Sequence, residues 1–312
     1  MTTFAVVGTG ALGGYYGGLL ARSGREVHFL MRSDADYVTK HGLQIDSKQG
    51  DFHLPTVNAY SDVRNMPKCD CLILALKSTQ NQHLPELLPP LMHDQSMVLV
   101  LQNGLHVEQP TRAVVGPGRV AGGCCFLCSN KVGPGHIRHL DYGRIVMGPY
   151  RGLDDSEPGP SMSLMTDLQQ EMVAAGIDCE TAESLTLARW RKLMWNIPFN
   201  GLSVILNSST DKIMQHFDSR ALAESIIREV RQTACACGHF IEPEFVQRMM
   251  DHTDAMVPYD SSMRLDFLAG RPIEVEAIYG NAVRAADRAN VDAPILRTLY
   301  RQLKFLADHR QN

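Results

Sequence analysis

The chain has 312 residues, 44% hydrophobic and 21% charged, with 30 basic against 34 acidic side chains and a formal net charge of −4. This length exceeds what one hydrophobic core usually spans, so two domains are expected. The small acidic excess gives no electrostatic reason to expect nucleic acid or an anionic membrane as partner, which leaves small molecules and other proteins.

Residues 2–21, TTFAVVGTGALGGYYGGLLA, are uncharged over the length of a membrane span. Six glycines interrupt them and no basic segment precedes them, so a strand–turn–helix is expected rather than a span or an export signal. The expected compartment is then the cytoplasm. TFAVVG (2–7) reads as a strand, 11–23 as a helix and EVHFLM (26–31) as a second strand. GLQIDSKQGDFHLPTV (42–57) reads as a hairpin. CLILAL (71–76) and MVLVLQ (97–102) are continuous apolar runs of strand length, suited to a parallel sheet covered on both faces. CCFLC (124–128), HIRHL (136–140) and RIVMG (144–148) read as later strands. This alternation argues for an open, doubly wound α/β domain.

After GPYRGLDDSEPGPS (148–161) the texture changes. Residues 163–176 read as a helix, a short run near Cys179 closes the first domain, and from about Glu183 the chain reads as successive helices, including 219–237, 242–254, 275–289 and 294–308. The expected organisation is a Rossmann-type domain over 1–182 and a helical domain over 183–312, with a ligand cleft between them. The eight cysteines suit reduced, buried positions. Cys125 and Cys128 form a CxxC without a second pair at zinc spacing, and His136 and His139 lack ligand partners nearby, so no metal is expected.

The first strand runs into GTGALGG, where Gly8, Gly10 and Gly13 match GxGxxG. The first glycine permits the tight turn, the second lets backbone approach a pyrophosphate, and the third lets helix pack on strand. The helix N-terminus, at Ala11 and Leu12, offers N–H groups and a positive dipole end to phosphate. An NAD site usually ends its second strand on an acid that binds the ribose 2′-hydroxyl. Here that strand ends FLMRS, with Arg32 and Ser33 in place of the acid, and Asp34 and Asp36 past it. A guanidinium suits a 2′-phosphate, so NADPH is favoured over NADH. Lys77 and Asn103 close the strands CLILALK and LQN, where side chains open toward the ligand crevice, although a solvated strand terminus suits Lys77 equally and Asn-Gly is also a plain turn signal.

RWRKLMWNIPFNGLSVILN (189–207) holds both tryptophans. At about 100° per residue, Lys192, Asn196, Asn200 and Ser203 share one quadrant of a helix, with Arg189 and Asn207 at its edge, while apolar side chains fill most of the rest. A helix apolar over most of its circumference is buried, and buried amides and an ammonium need partners. The stripe therefore suits a polar cavity or ligand, with the ammonium stabilising and protonating an oxygen that receives a hydride. Pro198 is expected to kink the helix between the two asparagines. Farther on, residues 259–283 hold Ser261, Ser262, Asp266, Glu274 and Glu276. These serines are plausible carboxylate donors or plain helix caps, and Glu274 is available to pair with Lys192.

GxGAxG, Lys77, QNG, RWRKLxxNxxxN and SSMxxDxxxGRPxE together resemble the ketopantoate reductase (2-dehydropantoate 2-reductase) family over nearly the whole chain. The resemblance implies a Rossmann domain joined to a helical domain like that of 6-phosphogluconate dehydrogenase. It implies reduction of 2-dehydropantoate to (R)-pantoate with NADPH, on the route to pantothenate and coenzyme A. By that resemblance Lys192 is the general acid, and Glu274 its partner and a contact of substrate and cofactor. Asn103 sits beside nicotinamide and substrate, Asn196 and Asn200 orient the substrate, and Ser262 binds its carboxylate. Gly8, Gly10, Ala11, Leu12, Gly13, Arg32 and Lys77 hold the dinucleotide. The family commonly places proline after the second asparagine, whereas Gly201 follows it here. A reductase of another 2-oxo acid, a β-hydroxyacid dehydrogenase, an NADPH-binding sensor and a homodimer all stay open.

Overall fold

The computed structural model describes residues 2–153, 156–256 and 260–309. Asp154 and Asp155 of the Gly/Pro-rich stretch, and Tyr259 at the head of the distal serine–acid run, lie outside the described residues. The chain divides into two units, Met1–Gln102 with Val107–Leu185, and Asn103–His106 with Thr186–Asn312.

The first unit is a ten-stranded sheet with helices. In chain order it contains β1 (Phe4–Val7), α1 (Ala11–Arg22), β2 (Val27–Leu30), α2 (Ala35–His41), β3 (Leu43–Ser47), β4 (Phe52–Leu54), β5 (Asn58–Tyr60) and β6 (Cys71–Leu74). There follow α3 (Leu84–Leu87), β7 (Met97–Val100), α4 (Gln109–Val115), β8 (Val120–Gly133), β9 (His136–Pro149), α5 (Met162–Ala174) and β10 (Cys179–Thr181). The order across the sheet is β4-β3-β9-β8-β7-β6-β1-β2-β5, with β10 on β9. At its centre β1 pairs in parallel with β2 and β6, and β6 with β7. Every residue of β1, β6 and β7 is buried, which is why these runs are continuously apolar.

The sheet is mixed rather than parallel throughout. HIRHL and RIVMG are parts of one 14-residue strand, β9, which forms a long antiparallel hairpin with β8. Three register shifts break that pairing, at Phe126/Leu127, Cys128/Ser129 and Lys131/Gly133. Two strands joined by a tight turn need no crossover helix, so the hairpin sits inside the sheet, with β8 parallel to β7 and β9 parallel to β3. The hairpin over 42–57 forms as β3 and β4. Cys125 and Cys128 are buried side chains of β8. His136 Nε2 pairs with Asp46 (2.7 Å), and the buried His139 lies between Ser47 Oγ (2.8 Å) and the carbonyl of Tyr142 (2.9 Å).

The second unit is helical: α6 (Leu185–Ile205, its first residue still in the first unit), α7 (Thr210–Gln215), α8 (Phe217–Ala236), α9 (Glu244–Ala255), α10 (Ser262–Leu268), a five-residue π-helix (Glu276–Gly280), α11 (Asn281–Arg288) and α12 (Pro294–His309). Its core gathers Trp190, Met194, Ile197 and Phe199 of α6 with Ile226 and Val230 of α8, Tyr279, and Leu296 and Leu299 of α12. The buried carboxylate of Glu229 accepts from the N–H groups of Ile295 (3.2 Å) and Leu296 (2.6 Å), capping α12 from α8. Residues 103–106 join this unit through hydrogen bonds: Leu105 N–H donates to Ala277 O (3.0 Å), and Asn281 Nδ2 donates to Leu105 O (2.6 Å).

Helix α6 runs through Pro198 without a break and ends at Ile205. Asn207 therefore lies past the helix rather than at the edge of its stripe. It takes a left-handed conformation (φ 47°), and Ser208 N–H reaches back to Ser203 O (3.2 Å), the closure that lets a helix stop. Among the described residues no helix is long and apolar enough to cross a membrane.

Candidate active site

In the first unit, β1 delivers the glycine loop to the start of α1. Gly8 has φ 101°, a left-handed conformation that favours glycine, and a Cβ there would stand 2.7 Å from the backbone nitrogen of Leu76. At Gly13 a Cβ would lie 2.2 Å from Gly8 O and 3.0 Å from Val6, so only glycine lets α1 pack this close to β1. Gly10 differs: nothing lies within 4 Å of where its Cβ would be, and its φ is an ordinary −85°. Packing within the chain thus explains Gly8 and Gly13 but not Gly10. Gly10 caps α1 without a side-chain hydrogen bond, leaving the first-turn N–H groups of Ala11, Leu12 and Gly13 without a side-chain cap. A helix start with open space before it and no capping side chain fits a dinucleotide pyrophosphate.

Beyond β2, Arg32 stands exposed and makes no ion pair among the described residues. Asp34 is buried and occupied: its carboxylate accepts from Gly135 N (2.9 Å) and Ser33 Oγ (2.7 Å) and pairs with Lys131 (2.5 Å). Burial pushes the Asp34 carboxyl up, but these hydrogen bonds outweigh it and hold the group below its ordinary value. A carboxylate fastened into the β8–β9 hairpin is not offered to a ribose. Lys77 stands exposed at the start of the turn after β6. That turn is held by a residue the sequence did not single out. Gln102, buried at the end of β7, donates through Nε2 to Leu76 O (3.0 Å) and to Asn81 Oδ1 (2.8 Å). Its only signal in the sequence was the QNG triplet.

In the second unit, Lys192 Nζ donates to Asn103 Oδ1 at 2.6 Å. Asn196 is 6% exposed and Asn200 2%, and neither carboxamide makes a side-chain hydrogen bond among the described residues. Both residues are buried overall, yet their carboxamides keep hydrogen-bonding capacity that no side chain among the described residues uses. Ser203, fully buried, completes the stripe differently. Its hydroxyl donates to Asn200 O (3.0 Å) and lies 2.7 Å from Ser261 Oγ, which itself accepts from Arg264 N (3.1 Å) as the cap of α10. Ser261 is thereby consumed by structure. The next residue, Ser262, is half-buried with no side-chain hydrogen bond among the described residues. Asp266 is tied to Arg271 (2.9 Å), and Glu276 to Tyr300 (2.7 Å) and Arg284 (2.9 Å). Glu274 is buried, 6% exposed, two residues before the π-helix. The second unit thus brings together Lys192 and Asn103, and places Asn196, Asn200, Ser262 and Glu274 in the same unit.

Comparison with known proteins gives matches along almost the whole chain. Residues 4–152 match the model of ketopantoate reductase PanE/ApbA, and residues 184–307 match that of the ketopantoate reductase PanE/ApbA C-terminal domain. A 2-dehydropantoate 2-reductase of Nostoc sp. is 49% identical over 307 residues, covering 97% of this chain and 94% of that one. The crystal structure of 2-dehydropantoate 2-reductase from Geobacter metallireducens superimposes with a TM-score of 0.91 at 38% identity, covering 97% and 99% of the two chains. That from Methylococcus capsulatus gives 0.88 at 33% identity, covering 99% and 98%.

Proposed function

We propose that this chain, which belongs to the ketopantoate reductase PanE/ApbA family, reduces the keto group of 2-dehydropantoate to the alcohol of pantoate with NADPH. The observation that carries the proposal is the stripe on α6: an ammonium held on Asn103, followed at one-turn intervals by two buried carboxamides with no side-chain partner among the described residues.

When bound, the reduced nicotinamide supplies a hydride to the keto carbon. The chain's own residues do the rest. As the carbonyl oxygen gains charge, the Lys192 ammonium stabilises it and delivers the proton that makes the hydroxyl. Asn103 fixes the direction of that ammonium, and the buried Glu274 is its acidic partner. Asn196 and Asn200 hold the substrate's other polar groups, and Ser262 donates to its carboxylate. Gly8, Gly10, Ala11, Leu12 and Gly13 receive the pyrophosphate, with Lys77 beside ribose or phosphate. Arg32 receives the 2′-phosphate. The preference for NADPH over NADH is supported by that exposed guanidinium and by the engagement of Asp34 elsewhere.

The test is NADPH oxidation by the purified full chain with 2-dehydropantoate, ranked by kcat/KM against a panel of branched 2-oxo acids. First rank for 2-dehydropantoate is the expected result. A clearly faster reaction with another 2-oxo acid would reassign the substrate. Light scattering on the same preparation decides whether the working form is a homodimer.

A further inference from the structure

Pro198 interrupts the donor ladder of α6 between the two substrate asparagines. It has no N–H, so Met194 O loses its donor one turn ahead. At Ile197, the residue before this gap, the backbone gains a partner from outside the helix. The Tyr279 hydroxyl donates to Ile197 O at 3.0 Å. Tyr279 is fully buried, and burial pushes its phenol well above the ordinary value, so it remains a neutral donor. The approach depends on Gly201. A Cβ there would stand 3.0 Å from the Tyr279 hydroxyl and 2.8 and 3.0 Å from the two Leu299 methyls.

Tyr279 is the fourth residue of the π-helix Glu276–Gly280, a rare geometry that recurs at functional sites. The same short element holds the segment that carries Asn103. Ala277 O accepts from Leu105 N–H (3.0 Å), and Asn281, the next residue after the π-helix, donates to Leu105 O (2.6 Å). It also continues directly from Glu274, whose carbonyl accepts from Ile278 N–H (3.3 Å). One five-residue element is thus bonded to the backbone that presents Asn103, to α6 between Asn196 and Asn200, and to Glu274.

We propose that this π-helix fixes how α6 presents Asn196 and Asn200 on either side of Pro198, and that Tyr279 is a positioning residue for substrate. Its hydroxyl holds α6 at Ile197, so Asn196 and Asn200 keep their aim across Pro198. The proposal rests on the reductase function proposed above. Tyr279 acts through the two asparagines, so its loss weakens the grip on the substrate's polar groups more than it slows the chemistry.

The experiment is steady-state kinetics on the full chain as wild type, Tyr279→Phe, Gly201→Ala and the double variant. The substrates are 2-dehydropantoate and its deoxy analogue 3,3-dimethyl-2-oxobutanoate, which lacks only the 4-hydroxyl. Tyr279→Phe is expected to raise KM for 2-dehydropantoate about tenfold, with a smaller change in kcat and none in KM for NADPH. The preference for 2-dehydropantoate over its deoxy analogue should fall by a similar factor. Gly201→Ala should do the same by displacing the phenol, with a further cost from its contact with Leu299, so the double variant should lose less than the product of the two single losses. Single variants within twofold of wild type in kcat/KM and preference would overturn the proposal, as would losses that multiply in the double variant. Equal losses on both substrates together with a lower thermal midpoint would mark a merely structural role and overturn it too. A wild-type chain inert toward 2-dehydropantoate would instead sink the reductase assignment, and the proposal with it.

Discussion

Lys192 Nζ donates to Asn103 Oδ1 across 2.6 Å, joining α6 to a segment 89 residues earlier in the chain. The bond is charge-assisted and uses one lone pair of Asn103 Oδ1, so the amide's NH₂ group points away from the ammonium. The ammonium thereby gains a direction that α6 alone would not give it, since a lysine stem has four rotatable bonds.

Lys192→Met is accordingly expected to lower kcat by about 10²–10⁴-fold, the usual size of a general acid's contribution. NADPH affinity, measured by fluorescence titration, should change little. Asn103→Ala should be milder, about tenfold to a hundredfold, because it removes one hydrogen bond to a charged group and leaves the acid in place. A Lys192→Met enzyme that keeps a tenth or more of wild-type kcat would remove Lys192 from the role.

The glycine loop separates two effects that sequence alone merges. Gly10→Ala meets nothing within 4 Å in the chain, and Gly10 has a negative φ of −85° in an extended conformation, so the cofactor-free protein should melt as wild type does. Its methyl would occupy the space in front of α1, so NADPH affinity should fall at least about tenfold, by the close-approach role of the second glycine. Gly13→Ala forces a methyl to within 2.2 Å of Gly8 O and should lower the melting midpoint even without cofactor. Calorimetry and isothermal titration on both variants read the contrast, and equal stability losses in the two would contradict it.

These two sites were legible in the sequence for a common reason. Gly8, Gly10 and Gly13 are spaced by local backbone geometry, and Lys192, Asn196 and Asn200 by the helical repeat, so each leaves a short-range pattern. What stayed hidden is non-local. Residues 103–106 group with the helical unit because of bonds to Ala277 and Asn281, and nothing in QNGLH reports partners more than 170 residues away. Tyr279 reads as one more core aromatic until its hydroxyl is seen on Ile197 O. Strand β9 splits into two apparent strands in the sequence because the bulges in its pairing with β8 interrupt the period-two pattern that would have joined them. Pro198 lies within α6, which continues beyond it to Ile205.

Arg32 carries the expected choice of dinucleotide. Arg32→Ala should raise KM for NADPH by about tenfold to a hundredfold, the worth of charge-assisted bonds to a phosphate, while KM for NADH stays nearly constant. The exposed side chain makes no ion pair among the described residues, so the thermal midpoint should not move. Equal losses with both dinucleotides would place the 2′-phosphate elsewhere.

Asp34 gives the same corner of the first unit a pH signature. Its carboxyl is held below the ordinary value: burial raises it, and the bonds from Lys131, Gly135 N–H and Ser33 more than reverse that. A carboxylate with a depressed folded-state pKa adds stability above its unfolded value of about 4, and that stability is lost as pH falls through the folded value. The first unit should therefore lose part of its stability between about pH 5 and the depressed pKa. Asp34→Asn keeps the shape but removes the charge facing Lys131, so its denaturation midpoint should drop near pH 7 by the equivalent of about 2 kcal/mol. Toward pH 3 the gap from wild type should narrow, because the wild-type carboxyl is then being protonated as well. Urea titrations of both proteins at pH 7 and pH 3 check the sign, and a gap that widened on acidification would contradict the assignment of Asp34 as the ionised anchor of the hairpin.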